Sequence, residues 1–428
     1  MTRVVIGFVG MTHLGLVSGV SASEKGFTLV CFDPDASRIA ALQRGELSVS
    51  EPQLDELVRK NADRLCFTAN PDDLKSCDVI YVAPDVATDD QGRSDLSAIN
   101  SLLDTVLDAA RTDAVLVVLS QVPPGFTRGK QRTGRLLYYQ VETLIFGQAV
   151  ERALYPERYI VGCADPAEPL PEAFRFFLEA HGCPILPMRF ESAELAKISI
   201  NMCLVATVST ANTLAELCEK IGADWSEIVP ALKLDRRIGQ FSYLTPGFGL
   251  SGGNLERDLC TYLGLSEKFE TDPGTVRAWI ANSNRRKRWA ESVLRERLAS
   301  TSNTSTIAIW GLAYKEDTRS TKNSAAILTL ANVQDLRVKI YDPMVSWDQS
   351  WHPNAEVFNN PMETLEGVDA LLIMTPWSAF RVISLESISQ RMRGSILIDP
   401  FGVIQRYPAP SRIIELHTLG RSTQFLCS

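Results

Sequence analysis

The residues whose types and spacing first indicate chemistry run from Gly10 to Gly15, Gly-Met-Thr-His-Leu-Gly. They follow an apolar run, open a helical pattern and resemble the dinucleotide-binding motif GxGxxG. In that motif the first glycine permits a tight turn, the second lets the backbone approach a pyrophosphate, and the third lets the helix pack closely on its strand. Thr12 replaces the second glycine, which weakens the expected phosphate contact.

Asp33 lies at the end of the next predicted strand and strengthens this interpretation. An acidic side chain at this position accepts hydrogen bonds from the adenosine ribose hydroxyls and repels a 2′-phosphate. Together the two features predict a site for NAD in preference to NADP. The alternative is an ordinary turn between a strand and a helix that holds no ligand, in which His13 only fills space.

Lys197 and Asn201 form a second pattern, one turn apart on a predicted helix and therefore on the same face. A lysine can stabilise the charge of a developing alkoxide, and an asparagine can donate an oriented hydrogen bond. The alternative is that both are solvent-facing helix residues. The spacing alone favours that alternative.

The composition limits the classes of function. A chain of 428 residues is too long for one core, so two or three domains are expected. A net charge of −8 argues against a nucleic-acid surface, and the basic run 284–288 is interpreted as a solvated helical face. Nine cysteines without a CxxC pair and four isolated histidines predict neither disulfides nor a metal site. The apolar runs are too short for a membrane span, so we expect a cytoplasmic protein.

Two sets of alternating strand and helix patterns define the organisation. The first set contains runs predicted to be buried parallel strands: Val4–Val9, Thr28–Phe32, Val79–Ala83, Ala114–Leu119 and Tyr159–Gly162. A long amphipathic helix from Glu191 to about Gly222 and further helices follow. A polar linker at 299–305 precedes the second set: Thr306–Trp310, Val338–Tyr341, Ala370–Met374 and Ser395–Ile398.

This pattern predicts an α/β fold. Two Rossmann-like domains with doubly wound parallel sheets are joined by a long central helix and a helical middle domain. The predicted domains are residues 1–190, 191–300 and 301–428.

Further motifs follow in a fixed order along nearly the whole chain. They are Glu51-Pro52 with Leu54–Leu57, Thr88–Gly92 with Asp95–Ser97, Ser120–Gly125, Pro156–Gly162, Ala193–Leu195 with Lys197 and Asn201, Asp235–Gly239, Gly311–Lys315, Tyr341–Pro343, and Thr375–Trp377 with Phe380-Arg381. In this order they resemble the UDP-glucose/GDP-mannose dehydrogenase family. Its members oxidise C6 of a nucleotide-bound hexose twice and reduce two NAD molecules. The resemblance therefore implies an NAD-dependent oxidoreductase that acts on a nucleotide-linked sugar.

The same resemblance implies a thiol that this chain lacks. In the family a cysteine traps the intermediate aldehyde as a thiohemiacetal, so that a second hydride can leave and a thioester remains. Residues 246–258 align without a gap with the family pattern PGxGxGGSCxPKD and place Asn254 at the cysteine. An amide is not a comparable nucleophile. Cys260 is expected to point elsewhere from within a helix.

A second departure concerns hydrolysis of the thioester, which a glutamate assists in the family. Alignment at Gly147 and Ala149 places Phe146 at that glutamate and Glu142 at an earlier one. A phenyl ring cannot take a proton. Both departures point to an enzyme that has lost the second oxidation.

The resemblance assigns roles to three groups of residues. The catalytic group is Lys197, Asn201 and Asp258, which hold the substrate oxygen and a water, together with Asn254 at the cysteine position. The expected cofactor contacts are Gly10, Thr12, His13, Leu14, Gly15, Asp33, Arg38, Ala83, Thr88 and Ser120. The expected substrate contacts are Glu142, Arg237, Tyr243, Gly247, Phe248, Gly249, Lys315 and Arg381.

Two substrate-side segments also depart from the family. Lys322 stands where an arginine pairs with phosphate, and residues 398–401 replace the pattern DGRN. A lysine offers a point charge in place of a bidentate fork, so the contact geometry changes. The substrate therefore need not be UDP-glucose.

Three hypotheses follow. The first is a two-electron oxidoreductase that takes one hydride from a nucleotide sugar and yields an aldehyde or a ketone. The second is a catalytically silent protein that binds a nucleotide sugar or NAD. The third, ranked last, is full oxidation to a uronate through another thiol. In each case the apolar central helix predicts a homodimer, with neither nucleic acid nor a membrane as partner.

Overall fold

The computed structural model describes residues 4–89, 92–251, 253–299 and 305–427. Residues 300–304 of the predicted linker lie outside these ranges, as do Asp90 and Gln91 of the 88–92 motif and Gly252 of the 246–258 motif. The chain divides into two compact units, Met1–Ile200 and Asn201–Ser428. The division into three domains stays a prediction.

An eight-stranded sheet forms the centre of the first unit, in the order β3-β2-β1-β4-β5-β6-β7-β8. Its strands are β1 (Val5–Val9), β2 (Thr28–Phe32), β3 (Leu65–Thr68), β4 (Val79–Val82), β5 (Val115–Val118), β6 (Leu136–Gln140), β7 (Tyr159–Cys163) and β8 (Ile185–Arg189). The first six are parallel and follow the order 3-2-1-4-5-6 of dinucleotide-binding folds. The α/β fold class is confirmed.

The last two strands of this sheet correct the prediction. β7 pairs with β6 in the antiparallel sense, and β8 lies parallel to β7. The expectation that Tyr159–Gly162 continues a parallel sheet is therefore wrong in direction. The run is apolar because every residue of β7 is buried. A buried strand is apolar whether it is parallel or antiparallel to its neighbour, so the sequence does not reveal its direction.

In the described part of the first unit, seven helices precede residue 190. They are α1 (His13–Glu24), α2 (Ala36–Gln43), α3 (Leu54–Lys60), α4 (Ser97–Ala109), α5 (Phe126–Lys130), α6 (Ala149–Leu154) and α7 (Glu172–Glu179), with 3-10 turns at Ala62–Arg64 and Pro71–Ser76. Alternate strand residues enter two separate hydrophobic clusters, for example Phe8 and Tyr81 in one and Val9 and Ile80 in the other. Because both faces of the sheet are covered, its central strands show no polar alternation.

The predicted central helix is confirmed as α8 (Phe190–Ile221), which runs from the first unit into the second and is followed by Gly222 with a φ of +82°. By length and composition α8 could cross a membrane. However, its buried Glu194 accepts hydrogen bonds from the backbone N–H groups of Gly125 (2.6 Å) and Thr127 (2.8 Å) at the start of α5. A buried carboxylate with such partners is typical of a core helix.

Helices α9 (Trp225–Leu234), α10 (Asn254–Lys268), α11 (Gly274–Lys287) and α12 (Trp289–Leu298) follow in the second unit. They correct the interpretation of the basic run. Arg286 and Lys287 are buried, with Arg286 Nη2 3.1 Å from Glu219 Oε1 and Lys287 Nζ 2.6 Å from Glu256 Oε1. These two cations are buried because they pair with carboxylates on neighbouring helices. The other members of the run are exposed.

A seven-stranded sheet completes the second unit in the order β11-β10-β9-β12-β13-β14-β15. The strands are β9 (Thr306–Trp310), β10 (Arg337–Tyr341), β11 (Ala355–Val357), β12 (Ala370–Ile373), β13 (Ile396–Ile398), β14 (Ile414–His417) and β15 (Gln424–Leu426). All pair in parallel except β15. Helices α13 (Ala325–Asn332) and α14 (Leu385–Arg391) and 3-10 turns at Pro361–Leu365 and Ser378–Val382 connect them.

Candidate functional site

The predicted glycine turn joins β1 to α1. Gly10 has a φ of +93°, and a Cβ there would lie 2.9 Å from the backbone nitrogen of Pro84. A Cβ on Gly15 would lie 2.0 Å from the carbonyl oxygen of Gly10. Both positions therefore exclude a side chain, as the sequence motif predicts for a strand and helix that approach this closely.

Asp33 is buried at the end of β2, beside this turn. Its Oδ2 accepts hydrogen bonds from the Met11 backbone N–H and from Arg38 Nη1, both at 2.7 Å, and its Oδ1 accepts from the Asp35 N–H at 3.0 Å. The structure thus brings Asp33 and Arg38 to the glycine turn. A carboxylate held in this way has acceptor capacity left for a ribose hydroxyl.

The segment after β4 packs against the same turn. Ala83 is buried, and Ser120 Oγ donates to the Pro84 carbonyl at 2.5 Å. The Asp85 N–H donates to Thr12 Oγ1 at 2.7 Å. The Asp85 carboxylate in turn accepts from the N–H groups that open α1, those of His13 (2.8 Å) and Leu14 (3.3 Å). Thr88 lies further along this segment, in an isolated bridge with Ser94.

Asp85 is a site residue that sequence reasoning missed. Its spacing from the glycine motif carries no signal, because the two meet only through the pairing of β1 with β4. The one clue in the sequence is an aspartate two residues after the predicted strand Val79–Ala83.

His13 links the turn to the segment 142–149. His13 Nε2 is 2.8 Å from Glu51 Oε1, and the buried Glu51 carboxylate also accepts from the N–H groups of Gly147 and Ala149. The Phe146 ring packs on the His13 ring with centroids 4.3 Å apart. His13 therefore holds a second loop at the turn instead of only filling space.

Lys197 and Glu142 form a pair within the first unit. Lys197 Nζ lies 3.1 Å from Glu142 Oε2 and donates to the Glu142 carbonyl at 2.9 Å. The Lys197 side chain is 12% exposed, and that of Glu142 is 18% exposed. The solvent-facing alternative for Lys197 is wrong, because the side chain is held by a specific partner.

Asn201 and Asp258 form the corresponding pair in the second unit. Asn201 Nδ2 donates to Asp258 Oδ2 at 2.5 Å, and Arg257 Nε is 3.4 Å from Asp258 Oδ1. Asn201 is 8% exposed and Asp258 only 1%, so Asn201 is not solvent-facing either. Asn254 is exposed at the first residue of α10, one turn before Asp258.

The segment before α10 is held by two polar side chains. The Gly247 N–H donates to Asn212 Oδ1 and the Leu250 N–H to Ser283 Oγ, both at 2.8 Å. A Cβ on Gly249 would lie 2.6 Å from the Ser283 carbonyl. The Phe248 ring is buried and packs edge-on against Phe401 at 5.4 Å. The expected contact of Phe248 with a substrate is therefore limited to its backbone.

The remaining substrate residues divide into two groups. Lys315 and Arg381 come from segments that follow β9 and β12, and Arg381 Nη2 lies 3.1 Å from Glu316 Oε2. Arg237 and Tyr243 are exposed, and the Arg237 guanidinium pairs with its near neighbour Asp235 at 2.7 Å. The described contacts do not join Arg237 or Tyr243 to Lys315 or Arg381.

The fold and these clusters define a class: oxidoreductases with two Rossmann-like units, one of them bearing a dinucleotide-binding turn. Three family domains match the chain: the NAD binding domain at 4–175, the central domain at 191–285 and the UDP binding domain at 308–406. The chain belongs to the UDP-glucose/GDP-mannose dehydrogenase family. It is an NAD-dependent oxidoreductase that acts on a CH–OH group, and its substrate is a nucleotide sugar.

Similar proteins span nearly the whole chain. The UDP-glucose 6-dehydrogenase of Rickettsia typhi is 29% identical over 410 residues, which cover 92% of this chain and 94% of the relative. One from Bacillus subtilis is 28% identical over 97% of this chain and 93% of the relative.

Solved structures share the fold. The UDP-D-ManNAc dehydrogenase of Pyrococcus horikoshii has a TM-score of 0.82 at 23% identity and covers 97% of this chain and 99% of its own. For the UDP-glucose dehydrogenase of Pyrobaculum islandicum the TM-score is 0.80 at 24% identity, with 94% and 95% covered.

Proposed function

We propose that this enzyme removes one hydride from its nucleotide sugar and stops at a two-electron product, an aldehyde or a ketone. One observation carries the proposal. Asn254, which stands where the family pattern has its cysteine, opens α10 one turn before Asp258, and Asp258 is buried against Asn201. The residue best placed to attack an aldehyde next to this pair is an amide, which forms no stable acyl intermediate.

The cysteines nearest in sequence offer no replacement. Cys260 lies six positions after Asn254 on α10, which at about 100° per residue turns it roughly 120° away from Asn254. Cys203 is exposed and lies two positions after Asn201 on α8. Its side chain is therefore turned about 160° around the helix axis from that of Asn201. Neither of these two thiols therefore shares the helix face of the residue beside which it would have to act, which favours the two-electron reaction over full oxidation to a uronate.

The retained groups suffice for the first oxidation. Asp258 accepts the hydroxyl proton of the substrate, directly or through a water. Asn201 Nδ2 donates one hydrogen bond to the Asp258 carboxylate and has a second N–H for the substrate oxygen. Lys197 stabilises the negative charge that develops on that oxygen. The carbon gives up one hydride and the oxygen one proton, which leaves a carbonyl.

NAD supplies the hydride acceptor when it is bound. The residues present fit its adenosine end, because Asp33 is fixed beside a turn in which Gly10 and Gly15 exclude side chains. The first amides of α1 would face the pyrophosphate. Ala83, Thr88 and Ser120 lie on the segments that surround this turn and are proposed to complete the site.

Phe146, in the first unit, also supports a single two-electron oxidation. It stands where the family pattern has a hydrolytic glutamate, and its ring packs on His13. A chain that forms no thioester needs no residue to hydrolyse one. The two substitutions are consistent with a single change of reaction.

For the substrate we propose a UDP-linked sugar. The UDP binding domain of the family and the names of the curated relatives support this choice. Lys315 and Arg381 would contact the phosphates, while Arg237, Tyr243 and the backbone of residues 247–249 would contact the nucleotide and sugar.

The experiment is to incubate the purified enzyme with NAD and a panel of UDP- and GDP-sugars and count NADH formed per sugar consumed. A carbonyl trap such as hydroxylamine pulls the reaction forward. One equivalent with a trapped carbonyl supports the proposal, and two equivalents with a uronate contradict it. Tight binding without NADH would favour the catalytically silent alternative.

We also propose a homodimer through α8. Its exposed residues fall in a stripe on one side of the helix, most of them three, four or seven positions apart: Ser192, Leu195, Ser199, Cys203, Thr210, Thr213, Leu214, Leu217, Lys220 and Ile221. Lys220 is the only charged residue in this stripe. Leu217 and Ile221 are 52% and 65% exposed, and a second copy of this stripe would cover them. A cytoplasmic location remains part of the proposal.

A further inference from the structure

The N-terminus of α1 holds an anion that belongs to the protein itself. The Asp85 carboxylate accepts hydrogen bonds from the N–H groups of His13 (2.8 Å) and Leu14 (3.3 Å). These are the first two amides of a twelve-residue helix whose first turn contains no acidic residue. The positive end of a helix favours one negative charge at this place, and a dinucleotide pyrophosphate needs the same amides.

The backbone around Asp85 is fixed, although its side chain is exposed. Its N–H donates to Thr12 Oγ1 at 2.7 Å, and the preceding Pro84 is held by Ser120 Oγ at 2.5 Å and by close approach to Gly10. The fixed backbone therefore keeps the Asp85 carboxylate within reach of the two amides. Thr12, which replaces the middle glycine of the motif, takes part in this arrangement through its hydroxyl.

We infer that Asp85 is an internal competitor of the cofactor pyrophosphate and sets a low affinity for NAD and NADH. Binding requires the carboxylate to leave the two amides, and after it has moved a negative charge remains beside the pyrophosphate. The inference rests on the proposed cofactor contacts at the α1 turn. It assigns a role to a residue outside the expected cofactor set.

The competition predicts a dependence on the ligand. Ligands with a diphosphate, such as NADH and ADP-ribose, must displace Asp85. Adenosine has the ribose that faces Asp33 but no phosphate, so it can bind without displacing Asp85. Loss of the Asp85 charge should therefore strengthen the first class and leave the second unchanged.

The test is calorimetric titration of NADH, ADP-ribose and adenosine into wild type, Asp85→Asn and Asp85→Ala. Asp95→Asn is the matched control, because Asp95 lies in the same connection and accepts from the Ser97 N–H at the start of another helix, α4. We expect the Kd for NADH and ADP-ribose to fall about tenfold in both Asp85 variants. The Asp95 variant should match wild type, and the Kd for adenosine should be constant throughout.

Unchanged or weaker NADH binding by both Asp85 variants, with adenosine binding retained, would overturn the inference and leave the cofactor site standing. An equal gain for adenosine would also overturn it. Failure of every variant and of wild type to bind NADH or adenosine would instead refute the proposed cofactor contacts, and the inference with them. Retained adenosine binding serves as the check that a variant is folded.

Discussion

At the scale of single residues, Asp258 is the group on which the proposed chemistry depends. It is 1% exposed and bound to Asn201, so Asp258→Asn removes a proton acceptor without changing the volume of the site. We expect kcat to fall by about 10² to 10⁴ while the Kd for NADH is unchanged. Steady-state kinetics and NADH titration measure both. Asp272→Asn, the same charge change at the start of α11, should retain activity within about twofold.

Asn254 provides a test by restoration. Asn254→Cys places a thiol at the first position of α10, where the helix N-terminus favours a thiolate. With substrate and excess NAD, the thiol should add to the aldehyde to give a thiohemiacetal. The carbon of this adduct gives a hydride to a second NAD and its hydroxyl gives up a proton, which leaves a thioester that persists because Phe146 cannot assist hydrolysis. Intact-protein mass should rise by the mass of the aldehyde less two hydrogens. Asn254→Ala should show no adduct, and the absence of an adduct in both would argue against residue 254 beside the reacting carbon.

Much of the site could be predicted from the sequence, for a physical reason. Gly10, Gly15 and Asp33 lie within one strand-helix-strand unit, whose local geometry fixes their spacing. The partners of Lys197 and Asn201 could not be read from spacing, since Glu142 and Asp258 approach them only after the chain has folded. Asp85 was missed for the same reason. The packing of the Phe248 ring on Phe401 could not be predicted either, because Phe401 is distant in the sequence.

At the scale of elements, the exposed stripe of α8 makes a prediction about assembly. Leu217→Asp puts a charge at an exposed apolar position of the proposed interface and should convert a dimer to a monomer at micromolar concentration. Sedimentation velocity measures this directly. Val357→Asp, an equally exposed apolar position on β11, is the control and should remain dimeric. A wild-type monomer at these concentrations would refute the dimer.

Glu219 on α8 ties several elements of the second unit together. Its carboxylate accepts from buried Arg286 (3.1 Å), from Trp289 Nε1 (2.8 Å) and from the Gly420 N–H (3.0 Å). Glu219→Gln leaves a buried guanidinium without its main partner and should lower the free energy of unfolding by about 3 kcal/mol. Glu216→Gln should cost only about 1 kcal/mol, because its main partner Arg285 is exposed and its distance to Arg286 Nη1 is longer, 3.7 Å. Equal losses in a urea titration would contradict this ranking.

Helices and strands differ in how well the sequence predicts them. The central helix was predicted because apolar residues recur over many turns, and its ends agree with the structure. Six strands were not predicted, because each has only three to five residues and carries at least one polar residue: β3, β6, β8, β11, β14 and β15. The basic run was interpreted as solvated because its carboxylate partners lie on other helices.

At the scale of the whole molecule, acid should destabilise the enzyme partly through His181. Burial lowers the pKa of this histidine to about 4, and its ring packs edge-on against Tyr159 and Phe177. The unfolded chain takes up the proton near the ordinary pKa of about 6.5, and the folded chain does so only near 4. The contribution of neutral His181 to the free energy of unfolding is therefore fully present above a pH of about 6.5. It is lost as the pH falls from there to about 4, and the loss is at most about 3 kcal/mol.

His181→Gln keeps a hydrogen-bond donor without a group that titrates in this range. It should reduce the difference in unfolding free energy between pH 7 and pH 4.5, as measured by urea titrations at both values. An undiminished difference would mean that other groups cause the acid sensitivity.

The proposed reaction is defined by the number of hydrides that leave one carbon of the sugar. The most direct measurement uses a UDP-sugar substrate with two deuteriums at C6, NAD and a carbonyl trap, followed by mass spectrometry of the product. The account predicts one reduced cofactor per sugar and a trapped carbonyl that retains one deuterium if C6 is oxidised, or both if a ring carbon is. A carboxylate that has lost both deuteriums, with two reduced cofactors, would contradict it.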